Sequence, residues 1–74
     1  MPPHVTLYLK PGCAYCDAAR AELLARGVAF TEVDVEARPD VVPELLKLTK
    51  GRRIVPVVVE GARIAVAASG GSTF

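Results

Sequence analysis

The apolar residues change their spacing at Pro11-Gly12, and that change restricts the fold more than any other feature of the chain. Before it, Val5, Leu7 and Leu9 alternate with Thr6 and Tyr8, the period of a strand with two distinct faces. After it, over residues 14–26, Cys16, Ala19 and Leu23 fall at helical spacing, with Asp17, Glu22 and Arg26 outside the stripe. Glu22 precedes Arg26 by one turn in the favourable order, and Gly27 is placed as a left-handed stop. Residues 28–35 read as a second strand, Ala29, Thr31, Val33 and Val35 opposing Phe30, Glu32 and Asp34. Asp40 is positioned to cap a second helix that tolerates Pro43 in its first turn, where amides have no helical acceptor. Val42, Leu45, Leu46 and Thr49 give that helix its inner stripe, and Gly51 ends it. Two last strands, residues 55–60 and 63–67, flank Gly61-Ala62, a loop suited to a hairpin.

The resulting order, β-α-β-α-β-β, is α/β architecture. A right-handed β-α-β crossover makes the first two strands parallel, and the closing hairpin makes the sheet mixed. The 74 residues form a single domain, 1–74, and a chain this short buries only about 60% of its unfolded surface. Hydrophobic residues make up 51% of it, with Tyr8, Tyr15, Phe30 and Phe74 the only aromatics, which suits an aliphatic, β-branched core. A formal charge of +1 gives no basis for binding nucleic acid or an anionic membrane. The opening "MPPHVTLYLKPG" carries no basic leader, and the apolar run 54–59 is too short to span a bilayer. The expectation is a soluble, cytoplasmic protein.

Both cysteines, Cys13 and Cys16, stand at the junction of the first strand and the first helix. A bridge between residues so close constrains the unfolded chain very little, so a structural disulfide explains them poorly. With a helix starting just after Cys13, unpaired amides and the helix dipole favour an anion there, so its pKa falls below the roughly 8.5 of a free thiol. Lys10 adds positive potential. Cys16 lies one turn on, on the same face and within disulfide reach. The reading is an exposed nucleophile with a partly buried resolving thiol, placed to exchange disulfides. Zinc needs four ligands and His4 is the only other soft one, so a metal would have to be held between chains; inert thiols are the bland alternative. Lys50, Arg52 and Arg53 form a basic cluster that suits ligand carboxylates, an acidic partner or a solvated turn equally well. His4 reads as structural or exposed, Tyr8 as core, and Asp34, Glu36 and Asp40 as loop and capping residues.

At this point the chain resembles the glutaredoxin family over nearly its whole length. "TLYLKPGCAYC" is similar to the first strand, lysine and Cys-Pro-Tyr-Cys site of dithiol glutaredoxins. "GRRIVPVVV" resembles the segment carrying the Thr-Val-Pro motif, and "SGGS" the family's late Gly-Gly. The resemblance implies a thioredoxin-like fold with strand order 2-1-3-4 and strand three antiparallel to strand one. It makes Cys13 the attacking and Cys16 the resolving thiol. Lys10 would face the glycine carboxylate of glutathione, and Tyr15 would flank the bound peptide. Pro56 would be cis, Val55 would offer backbone bonds to the ligand, and Gly70, Gly71 and Ser72 would receive the γ-glutamyl end through their amides. The implied reaction is reduction of protein disulfides or glutathione mixed disulfides, with no permanently bound cofactor. Glutathione or a flavin reductase would reset the pair, and disulfide-containing proteins would be the substrates. The alternative is a [2Fe-2S] module in which two chains each give Cys13 and glutathione supplies the remaining thiolates.

The chain departs from the family in several places. Ala14 replaces the usual proline between the cysteines, Ile54 stands where threonine is usual, and Thr73 occupies a position usually acidic. The interval from Pro56 to Gly70 is longer than in typical glutaredoxins. The closing helix of the family has no counterpart before Phe74. The sheet face shared with the first helix is therefore expected to be partly bare, at Ile64 or Val66, and to be covered by a second copy of the chain or by a partner.

Overall fold

A computed structural model describes residues 4–68 and 70–74; Ser69 of the Ser-Gly-Gly-Ser stretch lies outside them. The chain runs β1 (Val5–Leu9), α1 (Ala14–Ala25), β2 (Phe30–Asp34), a 3-10 turn (Pro39–Val41) and α2 (Val42–Thr49). It continues as β3 (Ile54–Val55), β4 (Val57–Glu60), β5 (Arg63–Val66) and β6 (Ser72–Thr73). The main sheet has the order β2-β1-β4-β5. Its centre, β1, runs parallel to β2 and antiparallel to β4, and β4 and β5 form the hairpin around Gly61-Ala62. This is the thioredoxin-like α/β fold with a mixed four-stranded sheet. Among the described residues no helix is long and apolar enough to cross a membrane.

One strand of the sequence reading, residues 55–60, is two. It breaks at Pro56, whose peptide bond with Val55 is cis. Proline brings no N–H to a ladder, so β4 starts only at Val57 and β3 lies outside the main sheet. β3 pairs instead with β6, antiparallel, Ile54 opposite Thr73 and Val55 opposite Ser72.

The helix ends obey local hydrogen-bond requirements. At the end of α1, Gly27 lies in the left-handed region, its amide donating to the Leu24 carbonyl at 3.1 Å. The Val28 amide donates to the Leu23 carbonyl at 3.2 Å, and this bond pair satisfies the last carbonyls of the helix. Asp40, expected to cap α2, does not. It sits inside the 3-10 turn, where its carboxylate accepts from Arg38 Nη2 at 3.2 Å. Val41 is the N-cap and has no side-chain bond, because the tighter turn leads straight into α2. Asp34 does work as a loop residue: its Oδ1 accepts from the amides of Glu36 and Ala37, at 2.9 and 3.1 Å. His4 is exposed, with Nε2 at 3.2 Å from the Thr31 hydroxyl.

Register decides which residues meet which helix. Arg20 of α1 donates to Glu32 at 2.6 Å, and Arg26 at its end donates to Glu60 at 3.3 Å. Glu32 lies opposite Leu7 and Glu60 opposite Val5, so α1 covers the face carrying Val5, Leu7 and Leu9. Buried Leu23 of α1 completes that side; buried Leu45 and Thr49 come from α2, on the other. Tyr8, as read from the sequence, is core. Tyr8 lies opposite Val57, Val57 opposite Val66, and Val59 opposite Ile64. Ile64 and Val66 therefore belong to the α2 face, where they line a cleft with Leu48 and Thr49. The expectation that they lie bare on the α1 face is corrected by this parity. What is open there is a groove of about 390 Å³ between α1 and the hairpin, floored by Pro56, Val58 and Ala65, with Ile64 at the rim of both clefts.

Candidate active site

Cys13 is the N-cap of α1. Its backbone is extended (φ −101°, ψ 110°), and its sulfur accepts the Cys16 amide at 3.1 Å. A sulfur in this place does what a serine or aspartate oxygen does at other helix starts: it takes up one of the donors that the first turn leaves unpaired. Ala14 opens the helix, so Cys16 falls one turn in, and both thiols are free. The expected exposed nucleophile is not what the fold presents. Each cysteine residue is only 1% exposed. Cys13 belongs to the same buried cluster as Val55, and Ser72 stands opposite Val55 on the neighbouring strand.

The two sulfurs are driven in opposite directions. Burial by itself pushes the Cys13 thiol up, but the Cys16 thiol, the Cys16 amide, the Ser72 side chain and the Tyr15 amide all donate to its sulfur and together bring it below its ordinary value. Cys16 is pushed up to about 12, first by burial, then by giving its proton to Cys13 and by the negative charge of Cys13 and Asp17. The Lys10 amide opposes this only in part. One thiolate is thus made at the expense of the other.

This asymmetry predicts a two-step titration. Alkylation of Cys13 should follow a midpoint below the ordinary value of a cysteine thiol, while Cys16 stays unreactive until strongly alkaline pH. Stability follows with opposite signs. The lowered pKa of Cys13 contributes stability above the ordinary thiol range, lost as pH falls through its folded value. The raised pKa of Cys16 leaves stability intact below that range and removes it as pH rises towards about 12. Thermal melts across pH should therefore show a maximum near the ordinary thiol range; a Cys16→Ala variant should lose the Cys16 share of the alkaline fall and keep that of buried Tyr8, whose pKa burial also raises.

The sequence-derived binding residues gather around this pair, though not all as expected. Lys10 donates from Nζ to the Thr73 carbonyl at 2.7 Å, so its bond is with β6, where the sequence reading had it raise the potential at Cys13. Tyr15 is 47% exposed and its ring lies over Gly70, where an added Cβ would come within 2.6 Å of Cε1. A Cβ on Gly71 would meet the Val55 carbonyl oxygen at 2.6 Å, so both glycines are dictated by close approach. Val55 and Pro56 are buried beside the site, but the backbone of Val55 is taken by Ser72. Of the basic cluster, among the described residues, Arg53 alone makes a hydrogen bond through its side chain, from Nε to the Phe74 carbonyl at 2.9 Å, with its guanidinium 4.8 Å over the Phe74 ring. Thr49, which the sequence placed only on a helix stripe, anchors the approach to β3: its hydroxyl donates to the Arg52 carbonyl at 2.6 Å and accepts the Arg52 amide at 3.1 Å. Among the described residues, no three His, Cys, Asp or Glu side chains converge as metal ligands would.

The sequence and the fold have counterparts in known proteins. Residues 5–64 match the glutaredoxin family profile. This chain belongs to the glutaredoxin family. It is 40% identical to the glutaredoxin of Neisseria meningitidis serogroup A over 58 residues, covering 77% of this chain and 67% of that one. It is 38% identical over 55 residues to the Gene 56 protein of Mycobacterium phage L5, covering 74% of this chain and 52% of the phage protein. The chain therefore matches between half and two thirds of the length of these two relatives. Among solved structures, the Escherichia coli glutaredoxin-like protein NrdH-redoxin, described as having a thioredoxin-like activity profile, superposes with a TM-score of 0.75 at 26% identity. That superposition covers 92% of this glutaredoxin and 82% of NrdH-redoxin.

Proposed function

We propose that this glutaredoxin is a thiol–disulfide oxidoreductase working through Cys13 and Cys16. The observation that carries the reading is the Cys13 sulfur at the start of α1, accepting the Cys16 amide at 3.1 Å beside a second thiol that holds its own proton. The Cys13 thiolate attacks one sulfur of a substrate disulfide. A Cys13–substrate bond forms, the substrate bond breaks, and the leaving thiolate takes a proton. Cys16 then gives up its proton and attacks the Cys13 sulfur, releasing the second substrate thiol and leaving Cys13–Cys16 oxidised. Two electrons have passed to the substrate, and two thiols or a reductase must return them.

The substrates in this reading are protein disulfides and mixed disulfides with glutathione, and the electrons come from glutathione or from a flavin reductase. Family membership and the Lys10, Tyr15 and Gly70-Gly71 surroundings support glutathione; the likeness to a protein of thioredoxin-like activity profile supports the reductase. The test is NADPH oxidation with a disulfide substrate, once with glutathione and its reductase and once with thioredoxin reductase alone. Turnover with either identifies the donor. No consumption with either, for a folded and reduced protein, overturns the reading.

A further inference from the structure

The edge of β3, next to the Cys13 sulfur, is filled by this chain itself. Val55 stands opposite Ser72 and Ile54 opposite Thr73. Pro56 has no N–H, so the Val55–Ser72 bridge can only be the pair that exchanges both amide bonds. The Phe74 amide continues the ladder, donating to the Arg53 carbonyl at 3.3 Å. Two cations then clamp the segment by its carbonyls: Lys10 on Thr73 at 2.7 Å and Arg53 on Phe74 at 2.9 Å, the latter also stacked over the Phe74 ring. Every polar group that an extended thiol peptide would need at this edge is already engaged, and the Cys13 it would react with is buried.

We infer that residues 72–74 are an internal strap lying in the place of an extended thiol substrate, with Ser72 opposite Val55 where a reacting cysteine would sit, and that substrate enters by displacing it. This inference rests on the oxidoreductase reading for its substrate, but the occupancy of the edge does not depend on turnover. Lys10 and Arg53 exchange partners in the process. In the closed form they hold backbone carbonyls of the strap; in the open form they are free for the carboxylates of glutathione or of an acidic peptide. The strap is only three residues long and its two cation bonds are exposed, which is the character of segments that open locally without unfolding the domain. Serine also fits the role chemically, since it stands opposite Val55 but its hydroxyl cannot form a disulfide with the Cys13 sulfur.

The test reads access to Cys13 separately from catalysis. Iodoacetamide alkylation is measured on the high-pH plateau of Cys13, where its thiolate is fully formed, so its degree of ionisation does not enter the rate. Ser72→Ala, which keeps the backbone bonds and loses the hydroxyl, is the control for intrinsic nucleophilicity and should leave the rate within about twofold. Ser72→Pro removes the amide that bonds the Val55 carbonyl and should raise the plateau rate about tenfold, the factor expected for losing one or two backbone bonds. Phe74→Ala, which removes only the ring under Arg53, should raise it by about two- to threefold and serves where Ser72→Pro does not fold. In the unaltered protein, unreactive S-methylglutathione should shift the backbone amide resonances of Ser72, Thr73 and Phe74 and speed their hydrogen exchange. Unchanged plateau rates in the folded variants, or binding of S-methylglutathione that leaves those three amides protected, would overturn the strap. Faster alkylation combined with no disulfide reduction would keep the strap and sink the enzymatic reading instead.

Discussion

Cys13→Ser is expected to lower disulfide reduction by about a thousandfold or more, because the other described thiol, Cys16, is buried and holds its proton. Cys16→Ser has a different expected result: mixed disulfides with protein substrates accumulate on Cys13, while release of glutathione from small mixed disulfides continues through external thiol. The reason lies in what holds the Cys16 proton. Burial is the first cause, but the hydrogen bond to Cys13 and the charge on Cys13 are the next, and both belong to the reduced thiolate. Once Cys13 is bonded to substrate its charge is gone, and the Cys16 proton is released more readily. The second thiol is thus kept quiet until the first has reacted. Mass spectrometry of each variant after exposure to a disulfide protein distinguishes the two outcomes. Substrate turnover by Cys13→Ser, or trapped adducts on position 16, would reverse the assignment.

The second large effect is on the core. Leu7→Ala should cost about 2–5 kcal/mol, the range for emptying a fully buried leucine site. Leu7 is 0% exposed and lies in the middle of the central strand, with β2 on one side, β4 on the other and α1 over its face. At roughly 0.05–0.15 kcal/mol per residue, a domain this size has only about 4–11 kcal/mol in total, so this one change removes a large share of it. Urea unfolding should show a lower midpoint at nearly the same slope. Leu24→Ala is the matching control: Leu24 is on α1 but 63% exposed, and its loss should change stability by about 0.5 kcal/mol or less.

Much of this architecture was legible because periodicity is local. The β1 pattern of Val5, Leu7 and Leu9, the α1 stripe of Cys16, Ala19 and Leu23, and the left-handed Gly27 each follow from a few neighbouring residues, and each is present as read. What was missed depends on residues far apart in the chain. Nothing near Ile64 says which face it takes; its pairing with Val59, and the pairing of Val57 with Tyr8, does. The exposure of Cys13 was misjudged for the same reason, since Ser72 lies almost sixty residues away and its approach to the sulfur depends on β3 pairing with β6. Lys10 was singled out for its charge, but its partner, the Thr73 carbonyl, could not be read from spacing. Asp40 failed differently: a residue suited to capping was overridden by a turn with bonds of its own. The glycines at 70 and 71 did carry a usable signal, because two adjacent residues without side chains mark a place where another part of the chain passes very close.

The sulfur that starts α1 ties the helix to the electron count. In the dithiol state it is an anionic acceptor for the first turn; in the disulfide state it is neutral and a far weaker one. Around a closed thermodynamic cycle, any preference of the fold for the dithiol must reappear as a more positive reduction potential. The donors around Cys13 therefore make this protein a more willing electron acceptor, and stripping them away one by one would turn it into a stronger reductant.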